Sequence, residues 1–332
     1  MKEYDALAII RLFTENQVVE YRTINSSHGE EDFREVIDAS LENHERIIVK
    51  LACNAFTNPD SIRMWKRCAS EYSKLGYYCP KIYATLNNDF PLVRYKGYSC
   101  VAYAEEYSKY QSVKQARSAK PFRDELYVMT ARVADKRFDF TNNSSGYVLF
   151  DVFPGDQVDE VTENALEFME YCNNLPEQFG EQSKRIFARW EENRKRLKEI
   201  YFKLPFSVFQ ADFNDTNVLV DDGGNFVGIY DFNLAGRDEI LNYLLREIYD
   251  GTFEEERREI LRALEIVSKH YKFSDLEIMA APLIYRCVKP LWFTRVQQLK
   301  KSGTDITAIQ KCLDEIEHAQ TDEIDFESVM RL

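Results

Sequence analysis

The sequence predicts an α+β protein of two lobes, a small and mainly antiparallel β lobe followed by a larger and mainly helical one. Three observations carry that reading. Alternating, β-branched runs dominate up to Tyr107, and amphipathic helical runs dominate after a polar stretch at 108–120. One island of strands, FSVFQADFNDTNVLVDDGGNFVGIY at 206–230, lies embedded among the later helices. The length of 332 residues is enough for two such bodies, which places the boundary between a lobe of 1–107 and a lobe of 108–332.

In chain order, residues 5–14 read as a short helix and 18–24 as an alternating strand. Ser26-Ser27-His28-Gly29 makes a polar turn before a second strand over 33–39. Asn43-His44 opens the next turn, and 46–52 (RIIVKLA) is a third strand interrupted by Lys50. Residues 60–74 form a helix with Asn58-Pro59 ahead of it and Gly76 after it. A hairpin follows, with strands at 92–93 and 98–104 turning at Lys96-Gly97. Helices are expected over 121–137, 161–169 and 183–201, the last with Ile186, Trp190, Leu197 and Ile200 on one face. In the embedded island, 206–209, 218–220 and 226–230 are strands, and Asp222-Gly223-Gly224 supplies φ > 0 positions for a hairpin between the last two. Further helices are expected near 239–250, 253–270, 275–299 and 305–318.

Composition narrows the function. A net charge of −13 argues against nucleic acid and anionic membrane as partners, and is compatible with a cationic substrate or with an ordinary acidic enzyme. Seven scattered cysteines without a CxxC pair fit reduced thiols rather than a disulfide frame or a zinc site. The first ten residues, MKEYDALAII, mix charges into the apolar positions and lack a signal-peptide core, and 278–293 is broken by Pro282, Arg286, Lys289 and Pro290. The expected location is the cytoplasm. The four histidines stand apart from one another, which leaves histidine metal sites and Ser–His or Cys–His catalysis without support.

The chemistry concentrates in the embedded strands. Asp212, Asn217 and Asp231 sit at strand ends, where backbone positions are well fixed. A carboxylate, an amide and a second carboxylate in that arrangement suit phosphoryl transfer from a magnesium nucleotide: one acid orients the acceptor hydroxyl, and the amide oxygen and the other acid hold Mg²⁺. Taken alone, Asp212 is also what an ordinary turn aspartate looks like. Lys50, taken alone, is either an edge lysine with its ammonium in solvent or a cation aimed at a ligand.

The run Asp212-x4-Asn217, a β-hairpin and then Asp231-Phe232 resembles the catalytic core of the protein-kinase-like fold, and the wording is closest to the aminoglycoside phosphotransferase and choline kinase family. That family's usual H-G-D-x-x-x-x-N stands here as Gln210-Ala211-Asp212-Phe213-Asn214-Asp215-Thr216-Asn217. The resemblance implies Asp212 as catalytic base, Asn217 and Asp231 as Mg²⁺ ligands, ATP in a cleft between the lobes, and Lys50 on the α- and β-phosphates. It also implies a helix glutamate as partner of Lys50, for which Glu71 is the acid inside the 61–76 helix. Glu105, Glu106 and Tyr107 occupy the inter-lobe position whose backbone meets adenine.

Two departures stand out. Gln210-Ala211 replaces His-Gly; a glutamine amide can donate a similar bracing hydrogen bond, and alanine costs little unless that backbone needs φ > 0. No glycine-rich phosphate loop occurs, and Ser26 and Ser27 are either phosphate ligands or part of a plain surface turn. Asp238, Glu239, Glu247 and Asp250 are either the lining of an amine-binding pocket or a solvated helix face. The expected activity is transfer of the γ-phosphoryl group of ATP to a hydroxyl of a small molecule such as an amino alcohol, amino acid, sugar or aminoglycoside-like compound. A catalytically silent nucleotide-binding protein and a kinase acting on a polypeptide are the alternatives.

Overall fold

The structure is a computed structural model, and it describes residues 3–248 and 251–332. Asp5 caps α1 (Ala6–Ile10) by accepting from the Ala8 N–H. Strands β1 (Val18–Asn25), β2 (Phe33–Leu41) and β3 (Arg46–Cys53) follow, then helix α2 (Pro59–Lys74), which is capped by Asn58 and starts with proline. Next come β4 (Ile82–Tyr83), β5 (Leu92–Tyr95) and β6 (Tyr98–Glu106). These six strands form one antiparallel sheet in the order β1-β2-β3-β6-β4, with β5 also on β6. The β5–β6 turn uses Lys96 and Gly97, both at positive φ, as a two-residue hairpin of matching twist requires.

Alternation gives this sheet two different faces. Ile37 and Ala39 of β2, Val49 and Leu51 of β3, and Ala102 and Ala104 of β6 are buried against Ile9 and Ile10 of α1 in one hydrophobic cluster. The opposite face carries Arg34 and Val36 of β2, Ile48 and Lys50 of β3, and Tyr103 and Glu105 of β6, all of which line one cavity.

Residues 108–120 contain the short strand β7 (Gln111–Ser112), which the sequence does not announce. Helices α3 (Arg123–Lys136), α4 (Glu160–Cys172) and α5 (Gly180–Tyr201) precede β8 (Phe206–Phe209), β9 (Val218–Val220), β10 (Phe226–Ile229) and β11 (Gly236–Glu239). Strand β9 pairs with β10 on one side and β7 on the other, whereas β8 pairs with β11. The expected β9–β10 hairpin is present, but its turn is wider than Asp222-Gly223-Gly224: Asp221 N–H donates to the Asn225 carbonyl, and Gly224 alone of the three takes positive φ. A Cβ on Gly224 would lie 2.8 Å from the Ser118 carbonyl oxygen, so both conformation and space require glycine.

Compactness divides the chain into Met1–Phe122 with Asp212–Ala235, and Arg123–Ala211 with Gly236–Leu332. The β7–β9 pairing explains why residues 108–122 and the β9–β10 hairpin belong to the first unit. In the second unit α6 (Ile240–Glu247), α7 (Phe253–Ser268), α8 (Asp275–Val288), α9 (Phe293–Lys301), α10 (Ile306–Thr321) and α11 (Phe326–Met330) complete the chain. The single helix expected over 275–299 is two, because Pro290 cannot supply the N–H that continuing the first would need. Helix α5 buries Ile186, Trp190 and Leu197 as the apolar stripe indicates, and Trp190 Nε1 donates to the Cys287 carbonyl at 3.1 Å. All seven cysteines are free thiols. Among the described residues no helix is long and apolar enough to cross a membrane.

Candidate active site

The site is built on the polar face of the six-stranded sheet and on the loops flanking β9 and β10, all within the first unit. Lys50 lies opposite Tyr103 on β6, and Ile48 lies opposite Glu105, so Lys50 and Glu105 are diagonal neighbours on one face. Lys50 Nζ stands 2.9 Å from Glu105 Oε2 and 3.8 Å from Asp231 Oδ1. The side chains of Lys50 and Glu105 are only 18% and 11% exposed. Burial alone would favour a neutral lysine, but the charges of Asp231 and Glu105 outweigh it and hold the ammonium well above the ordinary lysine range. One cation thus serves two acids. Burial, reinforced by repulsion from Asp231, pushes the Glu105 carboxyl upward, with Lys50 opposing the shift.

Glu71 does not pair with Lys50. It sits in the last turn of α2 beside Lys74, 2.9 Å away. The buried face of α2 is Ser61, Ile62, Met64, Trp65, Cys68, Ala69 and Tyr72, with no carboxylate among them, so the helix offers no acid to the sheet. A strand neighbour supplies it instead. Trp65 packs its ring on Tyr103, at 5.9 Å between centroids.

The loop from Asp212 to Asn217 is braced locally. Asp212 Oδ1 accepts from the backbone N–H and the amide of Asn214, at 3.2 and 2.8 Å. The Asn217 amide donates to Asp212 Oδ2 at 2.9 Å, which joins the two ends of the loop. The Asn217 carbonyl accepts from the Tyr230 N–H at 3.0 Å, so Asn217 and the residue before Asp231 are held side by side as the β9–β10 ladder ends. Phe232 then packs its ring edge-on against Tyr72 of α2, anchoring the segment that presents Asp231. Burial raises the Asp212 pKa; Asn214 opposes the shift, and the charge of Asp231 adds to it. Raised proton affinity is what a base working near neutrality needs.

Two left-handed residues mark this loop. Asp231 has φ 60 and Ala211 has φ 73. Non-glycine residues there cost about 1–3 kcal/mol and concentrate at functional sites. The backbone at 211 therefore does take φ > 0, the condition under which alanine carries a cost. The chain keeps the conformation that a glycine would take freely.

Glu105 and Asp231 bring two acids to one lysine, and the donor oxygens of Asp231 and Asn217 are hard ligands suited to Mg²⁺. Among the described residues no group of three or more His, Cys, Asp or Glu side chains is placed to hold a metal by itself.

A cavity of about 560 Å³ opens over the sheet face. Val36, Ile48 and Leu219 line it together with Lys50, Asp231, Ser26, Arg34, Tyr107 and Tyr110. That volume is typical of a pocket for a small ligand or cofactor. Tyr107 lies under the Arg46 guanidinium, 3.7 Å from ring centroid to Cζ. The Glu106 N–H donates to the Lys81 carbonyl. Ser26 lines the cavity, but the Ser27 hydroxyl is engaged by the Arg34 backbone, accepting from its N–H at 3.0 Å and donating to its carbonyl at 3.2 Å. Ser27 therefore closes the turn.

Comparison with solved structures identifies the fold. Amicoumacin kinase hAmiN, solved in complex with AMP-PNP, Ca²⁺ and Ami, superposes with a TM-score of 0.57 over 98% of this chain and 97% of its own, at 14% identity. The microcompartment-associated aminopropanol kinase gives 0.57 over 98% of each chain at 9% identity. An aminoglycoside phosphotransferase from Alicyclobacillus acidocaldarius gives 0.50 over 99% and 96%, at 12% identity. The chain has the kinase-like phosphotransferase fold. By sequence, no protein-family model and no curated protein matches it.

The acids considered for an amine pocket fall elsewhere. Asp238 and Glu239 are buried: Asp238 accepts from Ser145 and Asn242, and Glu239 caps α6 through the N–H groups of Leu241 and Asn242. Both acids are committed to partners within the second unit. The Glu247 carbonyl accepts from Arg123, and Asp250 lies outside the described residues. Arg34, Phe56 and Tyr103 line the cavity without having been singled out. Strand alternation was the available signal, since Arg34 and Val36 share the face of Lys50 once β2 and β3 are paired.

Proposed function

We propose that this chain is an ATP-dependent phosphotransferase that moves the γ-phosphoryl group to a hydroxyl of a small molecule. The observation that carries the proposal is the cluster of Lys50, Glu105, Asp231, Asp212 and Asn217 beside one nucleotide-sized cavity. The fold shared with the amicoumacin and aminopropanol kinases supports it.

In this reading residues 1–107 are the nucleotide-binding lobe, and 108–332 carry the catalytic loop, the metal ligands and the substrate pocket. Lys50, held by Glu105, neutralises charge on the α- and β-phosphates. Val36, Ile48 and Leu219 exclude water from the purine, and the backbone of 105–107 reads its edge. Asp212 accepts the proton of the acceptor hydroxyl at its carboxylate, and Asn214 and Asn217 keep that carboxylate in one orientation. Asn217 and Asp231 would hold Mg²⁺, which when bound offsets negative charge on the phosphates. The free thiols suit the reducing cytoplasm.

The test is ADP formation from ATP with a panel of hydroxylated amines, amino acids and sugars. Asp212→Asn should leave ATP binding intact and lose about 10²–10⁴ in turnover. Equal turnover by variant and parent would refute the assignment. ATP binding without ADP formation from any acceptor, polypeptides included, would favour the silent reading, to which Gln210-Ala211 points.

A further inference from the structure

The turn between β1 and β2 stands where a phosphate-binding loop would have to be, yet its backbone has few donors to give. Ser26 N–H donates to the Arg34 carbonyl, Ser27 N–H to Asn25 Oδ1, and His28 N–H to the Asp32 carbonyl. The Ser27 hydroxyl is taken by the Arg34 backbone. Glycine-rich phosphate loops work by leaving such N–H groups pointing at the ligand. A turn that uses its own must obtain phosphate affinity from a side chain.

Arg34 is the side chain in place. On β2, Val36 lies opposite Lys50 and Arg34 lies opposite Ala52, so Arg34 and Lys50 are diagonal neighbours on the cavity face. Such neighbours stand ~7–8 Å apart at Cα. The guanidinium is pre-positioned from two sides. Its Nε and Nη2 donate to the two oxygens of Asp32, at 2.8 and 2.7 Å, and its Cζ lies 5.1 Å from the centre of the Phe56 ring. Asp32 is itself fixed by the Asn54 amide at 2.8 Å. Among the described residues Nη1 of Arg34 makes no hydrogen bond, which leaves it to a ligand in the cavity. The other arginine lining the cavity, Arg22, is committed to Asp38 through Nε and Nη2.

We propose that Arg34, propped by Asp32 and Phe56, is a second phosphate-binding cation of this cavity and contacts the outer phosphates of a nucleoside di- or triphosphate beyond Lys50. The inference rests on the nucleotide reading of the site. A planar, fixed guanidinium is well matched to phosphate oxygens, and holding it in advance reduces the entropy lost on binding.

Calorimetric titration of the folded full chain with ATP, ADP and AMP, in Mg²⁺, tests it. Arg34→Ala should weaken ATP and ADP about tenfold and leave AMP within about twofold. Arg34→Lys, which keeps charge without the fork, should fall between parent and Arg34→Ala for ATP, and carries the test should the alanine variant fail to fold. Asp32→Asn should weaken ATP by less than Arg34→Ala. Unchanged ATP affinity in Arg34→Ala overturns the proposal, as does an equal loss for ATP and AMP, which would make Arg34 a wall of the cavity. No binding of any nucleotide by the parent chain would remove the nucleotide reading itself.

Discussion

Replacing Glu105 by glutamine separates two ways of holding Lys50. The gross attraction at 2.9 Å is about 6 kcal/mol at an effective dielectric near 20, against about 4 kcal/mol for Asp231 at 3.8 Å. Desolvation of the Glu105 carboxylate cancels much of the first figure, as its raised pKa records. Glutamine keeps the shape and an acceptor oxygen for Nζ, so fold stability should change by less than about 2 kcal/mol. Function should suffer more. Lys50 loses its closer charge and is drawn to Asp231, the acid proposed to hold the nucleotide's metal. Loss of one charge-assisted hydrogen bond, about 1.5–3 kcal/mol, corresponds to roughly 10–100-fold in kcat/KM for ATP. The pH dependence of stability gives a second readout. A carboxyl whose folded pKa lies above its unfolded value of 4.5 makes stability fall as pH rises through that window, and Glu105→Gln should remove this slope. Steady-state kinetics and urea melts between pH 4 and 7 measure both. Full activity in Glu105→Gln, or a large loss in Glu71→Gln instead, would refute the assignment of the lysine's partner.

Glu71→Ala, at a site paired with Lys74 across one helical turn, should shift stability by about 0.5 kcal/mol or less and leave the ATP KM unchanged. Ala211→Gly should be neutral or stabilising by up to about 1 kcal/mol in a thermal melt, because φ 73 strains alanine; destabilisation of the usual helix or strand kind would contradict that. Gly228→Ala should destabilise by several kcal/mol or prevent folding, since its Cβ would stand 1.8 Å from the Tyr78 carbonyl oxygen. The acid limb of the kcat/KM profile should lie above the ordinary aspartate value of 3.8, because the base Asp212 must be ionised and burial raises its pKa.

What could be read from the sequence followed distance along the chain. Asp212, Asn214 and Asn217 form a loop whose bonds span two to five residues, so the Asp212-x4-Asn217 spacing was visible in the sequence, although its meaning came from the family resemblance. The hairpin carrying Asp231 is equally local. The partner of Lys50 is set by the register between β3 and β6, some 55 positions apart in sequence, and no local signal distinguishes Glu105 from Glu71. Ala211 shows the same limit: its identity was plain, but its left-handed backbone was not. Asp238 and Glu239 misled in the opposite sense, because charge reads as exposure when the partners that satisfy a buried acid, here Ser145, Asn242 and the start of α6, lie elsewhere. Strand β11 escaped notice for that reason, since Gly-Arg-Asp-Glu lacks any apolar alternation.

The central claim is that Asp231 and Asn217 present oxygen ligands for the metal of a nucleotide held by Lys50. Equilibrium binding of ATP to the parent chain and to Asp231→Asn, each with and without Mg²⁺, tests it directly. The parent should bind ATP tighter with Mg²⁺ than without, and Asp231→Asn should lose that difference. Equal affinity in all four titrations, or a magnesium effect that survives the substitution, would contradict it.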